Sequence, residues 1–528
     1  MGVLDEILER YDQLPPEERE LLNLQAMAAT SDKLWVPNPG PQYDAYYCEA
    51  DELLFGGEPG GGKTDLIIGL SLSEHTRSLV LRRTNKEAEK LPDRYEQIIG
   101  HRRGFNSTRG TWRIGGRIVD MGGCENEKDK QKRKGIAHDL KAFDELPDFT
   151  RTQYEFIINW NRSTDPEQRC RVVATANPPT DPQGVWVIGR WGPWLDPSHP
   201  RQAKSGEIRW FKKNEDGDEV ECAGLEWYVH NGMRVRSRSR TFIRSKLADN
   251  PDLAQTDYAS TLASAGKEIR GLAAGDFESA LEDVPNQCIP TQWVRLAMHR
   301  RTPQHPPGIP MCAIGVDASG GGADPMVLAM RYDGWYHDMI EIQGKSIPIE
   351  RAGKHCAGII TSYRRDKALI IIDMGGGYGG STYEQLKENS IPVEMFKGAE
   401  SSVRRTEDGQ YYFKNKRTEA YWKFREALDP SRPGGSPIML PDDLQLLADL
   451  TAPIFFEDRK MIELEPKVKV VARLGRSTDK GDAVVMAWMD GARYITAGRV
   501  WEKAYQAGGP RGQRFATVSG RPNNRTRR

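Results

Sequence analysis

The chain has 528 residues, and its 75 lysines and arginines are balanced by 75 aspartates and glutamates. That length predicts at least two domains, and no apolar run approaches the length of a membrane span, which disfavours both a single-core protein and a membrane-spanning one. The seven cysteines are scattered without a C-x-x-C pair, which disfavours a zinc site and favours reduced thiols in a cytoplasm.

Residues 1–30 are predicted to form helices, and a phosphate-binding loop follows them. Residues 57–64 read G-E-P-G-G-G-K-T, a full match to the pattern G-x-x-x-x-G-K-[ST]. The flanking residues predict a buried strand (52–55) and the start of a helix (65–70), the context that this pattern requires. Backbone amides would cradle the phosphates, the lysine would reach the outer phosphates and the threonine would hold Mg²⁺. The predicted nucleotide ligands are Gly57, Gly60, Gly61, Gly62, Lys63 and Thr64.

A second strand, which ends in two acids, supplies the partner that such a loop needs. Residues 137–143 are followed by Asp144 and Glu145. The first acid is predicted to hold Mg²⁺ through water, and the second to activate the attacking water. A surface loop with two adjacent acids is the alternative. A third strand, near residue 170, ends at Thr175 and Asn177, which are predicted to lie beside the other strand ends and to sense a γ-phosphate.

Further along the chain, four arginines alternate with other residues. In one strand they would share a face and could contact DNA phosphates. The alternative is a solvated hairpin edge, where charge prevents aggregation. The zero net charge does not decide between them, because nucleic-acid binding depends on local patches. The predicted DNA contacts are Arg234, Arg236, Arg238 and Arg240.

The densest proline stretch, within residues 281–310, predicts a linker at 285–305. The last residues, 496–528, are rich in glycine and arginine and have no apolar pattern. That composition predicts a disordered tail that binds DNA or a partner non-specifically.

Between the linker and the tail, three acidic positions predict a second site. Strands at 311–317 and 368–373 end in Asp317 and Asp373, and residues 477–482 precede a helix-like segment. Aspartates at two strand ends and a helix start are typical of a ribonuclease-H-like nuclease. Converging carboxylates would hold two Mg²⁺ or Mn²⁺ ions about 3.5–4 Å apart. The third ligand is Asp479 or Asp482, and we favour the latter.

A glycine-rich segment offers an alternative reading of this region. Residues 375–380 match G-x-G-x-x-G, and Glu394 follows at the distance that a dinucleotide-binding fold needs. However, Asp373 would place a negative charge near the pyrophosphate. The glycines are better explained by close approach of DNA or metal ions.

Together these motifs resemble those of the large terminase subunit of tailed bacteriophages, the motor and nuclease that packages viral DNA. The resemblance extends from about residue 37 to 488. It is carried by Pro41-Gln42, G-E-P-G-G-G-K-T, A-F-D-E at 142–145, A-T-A-N-P-P at 174–179 and the segments 154–162 and 192–196.

The resemblance implies ATP-driven translocation of double-stranded DNA into a procapsid and two-metal cutting of the concatemer. Gln42 would contact adenine, Thr175 would couple hydrolysis to movement, and Glu145 would be the catalytic carboxylate. The implied partners are DNA, a portal protein and a small terminase subunit, with no membrane. The chain would be a monomer in solution and a ring on the portal, in the host cytoplasm.

The sequence departs from many relatives at one position. They have an arginine just before a glycine, which acts on the ATP of the neighbouring subunit. Here Lys134 precedes the glycine with Arg133 beside it, and lysine lacks the planar fork of arginine. Arg82 and Arg83, after another predicted strand, are further candidates, and the choice stays open.

The predicted fold class is α/β. A P-loop ATPase domain with a largely parallel sheet (31–284) precedes a ribonuclease-H-like nuclease domain with a mixed sheet (306–495). Two other functions fit the same motifs: a helicase–nuclease of DNA repair or phage defence, and a scaffold that uses nucleotide only as a structural switch. The intact Lys63, Asp144 and Glu145 disfavour the scaffold.

Overall fold

The computed structural model describes residues 13–15, 18–19 and 33–489, apart from 198, 216, 218, 255, 265–270, 272, 278–282, 322–324 and 433. The chain divides into two compact units, Met1–Glu282 and Asp283–Arg528. The predicted tail and almost all of the predicted N-terminal helices lie outside the described residues. Within the described part of the chain, no helix is long and apolar enough to cross a membrane.

The first unit is built on one ten-stranded sheet, with a separate two-stranded hairpin. Its strands are β1 Glu52–Gly57, β2 Arg77–Arg82, β3 Phe105–Asn106, β4 Thr111–Ile114, β5 Arg117–Gly123, β6 Leu140–Phe143, β7 Arg171–Ala176, β8 Arg209–Lys213, β9 Glu219–Cys222, β10 Trp227–His230, β11 Met233–Arg236 and β12 Arg238–Ser245. Its helices are α1 Pro41–Tyr47, α2 Lys63–Ser73, α3 Asn85–Ala88, α4 Leu91–Ile99, α5 Arg151–Ile158, α6 Val185–Arg190, α7 Gly192–Leu195, α8 Pro251–Ala254 and α9 Tyr258–Ala263.

The order of the large sheet is β3-β4-β5-β2-β6-β7-β1-β12-β8-β9, and the six strands from β5 to β12 run parallel. Strands β1, β6 and β7 are buried along their whole length, as expected for parallel strands covered on both faces. The prediction of a largely parallel sheet is confirmed. Antiparallel strands lie only at its two ends.

Strand β7 lies between β1 and β6, and this order determines where the predicted nucleotide residues meet. The register pairs Phe143 with Ala174, and Phe55 with Thr175. The carboxyl ends of the three strands therefore align at one edge of the sheet. The phosphate-binding loop, the acidic pair and the polar turn after β7 all follow these ends.

The second unit contains a mixed sheet of six strands and a smaller sheet of three. Its strands are β13 Ala313–Asp317, β14 Met326–Tyr332, β15 Trp335–Tyr336, β16 Ile340–Ile342, β17 Leu369–Asp373, β18 Val393–Phe396, β19 Tyr412–Phe413, β20 Phe455–Asp458 and β21 Met461–Leu464. Its helices are α10 Thr291–His299, α11 Ala352–Tyr363, α12 Gly379–Glu388, α13 Lys416–Leu428, α14 Leu444–Thr451, α15 Lys467–Leu474 and α16 Asp479–Trp488. In the larger sheet β13, β17 and β18 are parallel, and β14 runs antiparallel to β13, which confirms the predicted mixed sheet.

Helix α16 packs directly on β13 because Gly315 has no side chain. A Cβ atom at this position would lie 2.0 Å from the carbonyl oxygen of Ala483. This close approach brings the first turn of α16 to the end of β13, where Asp317 lies. A larger residue at 315 would push the helix away from the sheet.

The segment predicted as a linker, 285–305, contains a helix. Its centre forms helix α10, with Val294 and Ala297 buried within the second unit. Pro290 caps the helix, and His305 stacks on Tyr332 with ring centroids 4.3 Å apart. The prolines therefore delimit packed structure, because proline stops helices without requiring an extended linker.

Candidate functional site

The phosphate-binding loop spans the interval between β1 and α2, and its backbone needs glycine. Gly60 and Gly62 have φ angles of +85° and +73°, a region that residues with a Cβ atom rarely adopt. Lys63 begins the helix with only 7% of its surface exposed, and its Nζ donates to the carbonyl oxygen of Glu58 at 2.5 Å. The lysine therefore reaches back across the loop, where phosphate oxygens would be cradled.

Asp144 connects the loop to the two neighbouring strand ends. Its carboxylate accepts hydrogen bonds from the hydroxyl groups of Thr64, at 3.1 and 3.2 Å, and of Thr175, at 2.7 Å. The carboxylate is 1% exposed. A threonine hydroxyl and a carboxylate in direct contact are the ligand types that Mg²⁺ uses beside a nucleotide.

Glu145 is held by the strand that lies between the loop and the acidic pair. Its carboxylate accepts from Asn177 Nδ2 at 2.9 and 3.0 Å, and its backbone amide donates to Thr175 at 3.1 Å. Its φ angle is +61°, an uncommon value for a residue with a Cβ atom, and such strain concentrates at functional sites. The sequence suggested that Asn177 senses a phosphate, but it gave no sign that this residue orients Glu145.

The environment of Glu145 suits a general base. Burial, followed by the nearby charge of Asp144, raises the pKa of Glu145 to about 6, although Lys63 opposes the shift. A base with a pKa closer to neutral pH accepts a proton from water more readily while it remains largely ionised.

Gln42 lies against the loop at the start of α1. Its Nε2 donates to the carbonyl oxygen of Gly62 at 2.9 Å, and its Oε1 accepts from the backbone amide of Asn38 at 2.6 Å. The side chain therefore links residues before β1 to the loop. Its contact with adenine stays a prediction.

The candidate trans-acting residues occupy different environments. Arg82 donates to Asp144 of its own chain through Nη2 at 2.5 Å and Nε at 2.8 Å. Arg83 donates to Gln153 and to the carbonyl oxygen of Cys124. These contacts occupy both arginines within the chain, which argues against a role for either in trans.

Arg133 and Lys134 adjoin each other but differ in exposure. Arg133 folds back on its own sheet, where Nη2 donates to the carbonyl oxygen of Gly123 at 3.2 Å. Lys134 is exposed at the end of a 3₁₀ turn. Of the four candidates, Lys134 is the most accessible to a second subunit.

The predicted arginine face at 234–240 does not form. Ser237 separates β11 from β12, so the alternation of one strand is broken. Arg236 pairs with Asp51 at 2.7 Å, and Arg240 is 3% exposed and pairs with Glu219 at 3.1 Å. The buried ion pair excludes Arg240 as a DNA contact. The charge of Arg240 compensates buried acids, which a sequence pattern does not reveal.

Arg234 and Arg238 remain on the surface. Arg234 lies over the ring of Trp227, 5.1 Å from its centroid, and the side chain of Arg238 is 46% exposed. Contact of these two residues with DNA stays a prediction.

In the second unit, four aspartates converge at one edge of the mixed sheet. Asp317 and Asp373 end the adjacent parallel strands β13 and β17, whose register pairs Val316 with Ile372. Asp479 and Asp482 lie in the first turn of α16.

The sequence did not indicate that a lysine lies among these acids. Lys467 begins α15, and its Nζ lies 2.8 Å from Asp482, 3.5 Å from Asp317 and 3.8 Å from Asp479. Because Lys467 stands on a separate helix, no spacing pattern links it to the aspartates. Its ammonium group provides positive charge where the carboxylates meet.

The four aspartates of the cluster differ in the direction in which their pKa values are shifted. Burial and the neighbouring acids raise the pKa of Asp317 well above its ordinary value, and burial also raises the pKa of Asp373 and Asp479. Burial opposes ionisation of Asp482 too, yet Lys467 and Arg417 hold its pKa below the ordinary value. Carboxylates that repel one another in this way are stabilised by added cations.

The donor set suits Mg²⁺ or Mn²⁺, since all four candidate ligands are carboxylates. Within the described residues, however, no group of three or more His, Cys, Asp or Glu is spaced to hold a metal ion. Asp482 accepts hydrogen bonds from Tyr421 at 2.9 Å and Thr478 at 2.8 Å. Asp479, in contrast, lies 3.8 Å from the ammonium group of Lys467, which Asp317 also approaches, at 3.5 Å.

The glycines at 375–380 shape the surroundings of Asp373. The backbone amide of Gly375 donates to Asp373 at 2.9 Å. A Cβ atom on Gly379 would lie 2.2 Å from the carbonyl oxygen of Asp373, so only glycine lets α12 start this close to β17. The glycines thus serve local packing around the acid, in line with the close approach expected from the sequence.

The chain is similar, at low sequence identity and low TM-score, to solved structures of large terminase subunits. No family model matches the chain, and no curated protein matches it. The nuclease domain of the large terminase subunit of bacterial virus Sf6 is 22% identical, covers 38% of this chain and 97% of its own, and has a TM-score of 0.32.

Two longer structures cover most of the chain. The HK97 bacteriophage large terminase is 11% identical over 85% of this chain and 93% of its own, with a TM-score of 0.36. The large terminase of thermophilic bacteriophage D6E in complex with ADP is 11% identical over 85% and 98%, with a TM-score of 0.31.

Proposed function

We propose that this chain is a large terminase subunit that hydrolyses ATP to move double-stranded viral DNA and cuts that DNA with a two-metal nuclease. The observation that carries the proposal is the hydrogen-bonded group Thr64–Asp144–Thr175, with Glu145 beside it, at the end of a parallel sheet. A second unit of the same chain holds the aspartate cluster.

In the ATPase unit, each residue has a distinct task. The glycine-rich loop and Lys63 would bind the phosphates, and Thr64 and Asp144 would hold Mg²⁺, which would neutralise charge on the phosphate oxygens. Glu145 accepts the proton of the attacking water, and Asn177 fixes the direction of its carboxylate.

Thr175 is suited to couple hydrolysis to movement. It touches Asp144 through its hydroxyl oxygen and also accepts from the backbone amide of Glu145. Any shift of the nucleotide that displaces Asp144 or Glu145 is therefore transmitted to β7. This contact supports the coupling role that the resemblance implies.

In the nuclease unit, Asp317, Asp373, Asp479 and Asp482 are the candidate ligands for two Mg²⁺ or Mn²⁺ ions. Such ions, when bound, would activate water and stabilise the leaving oxygen. The approach of Asp479 and Asp317 to the same ammonium group supports Asp479 as a ligand, and the three donors around Asp482 support a role in orienting Lys467.

The proposed location is the host cytoplasm. The proposed partners are double-stranded DNA, a portal protein and a small terminase subunit, with a ring assembly on the portal.

A packaging assay tests the proposed function. Procapsids that carry the portal, mixed with this chain, DNA and ATP, should protect the DNA from nuclease. Lys63→Ala protein should give no protection. Unwinding of a forked duplex without packaging would instead establish a helicase–nuclease.

A further inference from the structure

A cleft beside the aspartate cluster has walls of opposite charge. Its volume is about 330 Å³, and it lies within the second unit. Three acids and three bases line it: Asp373, Glu463, Asp482, Lys414, Arg417 and Lys467. Two of the bases are already paired, Lys414 with Glu463 at 2.6 Å and Lys467 with Asp482 at 2.8 Å.

Arg417 is the third base, and part of its guanidinium has no partner. The residue lies in the first turn of α13, where Nη1 donates to the carbonyl oxygen of Glu465 at 2.7 Å. Its Nε and Nη2 atoms are buried and have no hydrogen-bond partner among the described residues. Nε lies 3.8 Å from Asp482, too far for a hydrogen bond.

Buried donors without partners are rare, because each costs free energy that a hydrogen bond would recover. Nε and Nη2 stand on the same edge of the guanidinium and form the fork that binds two oxygens of a carboxylate or phosphate. The fork is also held in place. The guanidinium lies 5.1 Å from the ring centroid of Tyr421, and Gly398 leaves room for the stem of the side chain.

We infer that Arg417 binds a DNA phosphate at this cleft, with Nε and Nη2 donating to its non-bridging oxygens. The inference rests on the proposed nuclease function, because the phosphate would lie beside Asp373 and Asp482. The acids alone would repel a phosphodiester, and a cation with free donors on the same cleft offsets that repulsion. Arg417 thereby positions the DNA strand against the carboxylates.

The test measures binding of a short labelled duplex to the full-length protein by fluorescence anisotropy, at several salt concentrations. Ca²⁺ replaces Mg²⁺, and a gel verifies that the duplex remains intact. Arg417→Gln removes the fork, and Arg417→Lys keeps the charge. Arg365→Gln is the matched control, because Arg365 is exposed and precedes β17, at the opposite end of that strand from Asp373.

Loss of one phosphate contact should reduce the slope of log affinity against log salt by about 0.9. Arg417→Gln should show this change, Arg417→Lys should retain most of the slope with weaker binding, and Arg365→Gln should match the wild type. An unchanged slope in folded Arg417→Gln protein would overturn the inference, and so would equal losses in Arg417→Gln and Arg365→Gln. If the Arg417→Gln protein does not fold, the Arg417→Lys protein provides the test. Binding of the duplex by Arg417→Lys with wild-type affinity would then overturn the inference.

Cutting of plasmid by the wild-type protein with Mn²⁺ separates this inference from the proposed function. Wild-type cutting with unchanged binding by Arg417→Gln would leave the nuclease standing and remove the role of Arg417. Absence of wild-type cutting, with a reduced salt slope in Arg417→Gln, would remove the nuclease and leave an anion site.

Discussion

The hydroxyl group of Thr175 donates a hydrogen bond of 2.7 Å to the carboxylate of Asp144, although the two residues lie near the ends of different strands. The same hydroxyl accepts from the amide of the residue after Asp144. The end of β7 is therefore bonded to both members of the acidic pair. A movement of Asp144 or Glu145 during hydrolysis would therefore displace the end of β7 directly, through these hydrogen bonds.

Replacement of Thr175 by valine should weaken ATP hydrolysis. Valine keeps the shape but leaves the buried Asp144 with one fewer donor, which costs about 1–3 kcal/mol. We expect kcat/KM for ATP to fall about tenfold or more in a steady-state assay. Thr152→Val is the control, because that hydroxyl bonds Glu127. Equal activity of the two variants would exclude the coupling role of Thr175.

Replacement of Glu145 by glutamine should separate binding from hydrolysis. The amide preserves the shape but cannot accept a proton from water, so hydrolysis should fall by about 100-fold or more. Binding of a fluorescent ATP analogue should stay close to that of the wild type, whereas Lys63→Ala should lose it. Near-normal hydrolysis by Glu145→Gln protein would show that another residue is the base.

The pH dependence of hydrolysis should report the environment of Glu145. The base acts when ionised, so kcat/KM should decline as the pH falls through about 6, the raised pKa of this residue. Asn177→Ala removes donors that favour the ionised form, which should move the decline to higher pH. If the midpoint of the decline in kcat/KM is the same in Asn177→Ala protein as in the wild type, the decline reports the ionisation of a different group.

Removal of Asp373 should abolish cutting without affecting the motor. We expect Asp373→Ala protein to leave plasmid intact with Mg²⁺ or Mn²⁺, because a candidate metal ligand is lost. ATP hydrolysis should stay within a few-fold of wild type, since the residues assigned to it lie in the other unit. Asp338→Ala, at a side chain that is 69% exposed, serves as the control. Cutting that persists without Asp373 and also without Asp317 would contradict the nuclease assignment.

Lys134 should act on the nucleotide of a neighbouring subunit. Hydrolysis should then rise steeply with protein concentration, because a cation supplied in trans contributes several orders of magnitude elsewhere. Lys134→Ala protein should be inactive alone and regain partial activity when mixed with Glu145→Gln protein. Arg82→Ala should show no such rescue, since Arg82 contacts Asp144 of its own chain. Rescue of Arg82→Ala or Arg133→Ala protein, without rescue of Lys134→Ala protein, would assign the trans-acting role to the rescued position instead of Lys134.

The sequence alone determined the features that depend on neighbouring residues. The loop at 57–64 needs glycines at positive φ, and the acids at 144, 145, 317 and 373 stand at the ends of apolar strands. Both kinds of site could therefore be predicted from short stretches of sequence. Parallel strands then brought their ends together, as expected. The fold class followed from the same pattern.

Only the tertiary structure decided which charges serve the sites and which are paired elsewhere. Lys467 joins the aspartates from its own helix, Arg82 turns to Asp144, and Arg240 is buried against Glu219. In each pair the partners are far apart in sequence or on different elements, so no periodicity relates them. A buried charge takes whichever opposite charge the packed chain brings near it, because leaving it unpaired costs several kcal/mol. That choice is made by the fold as a whole.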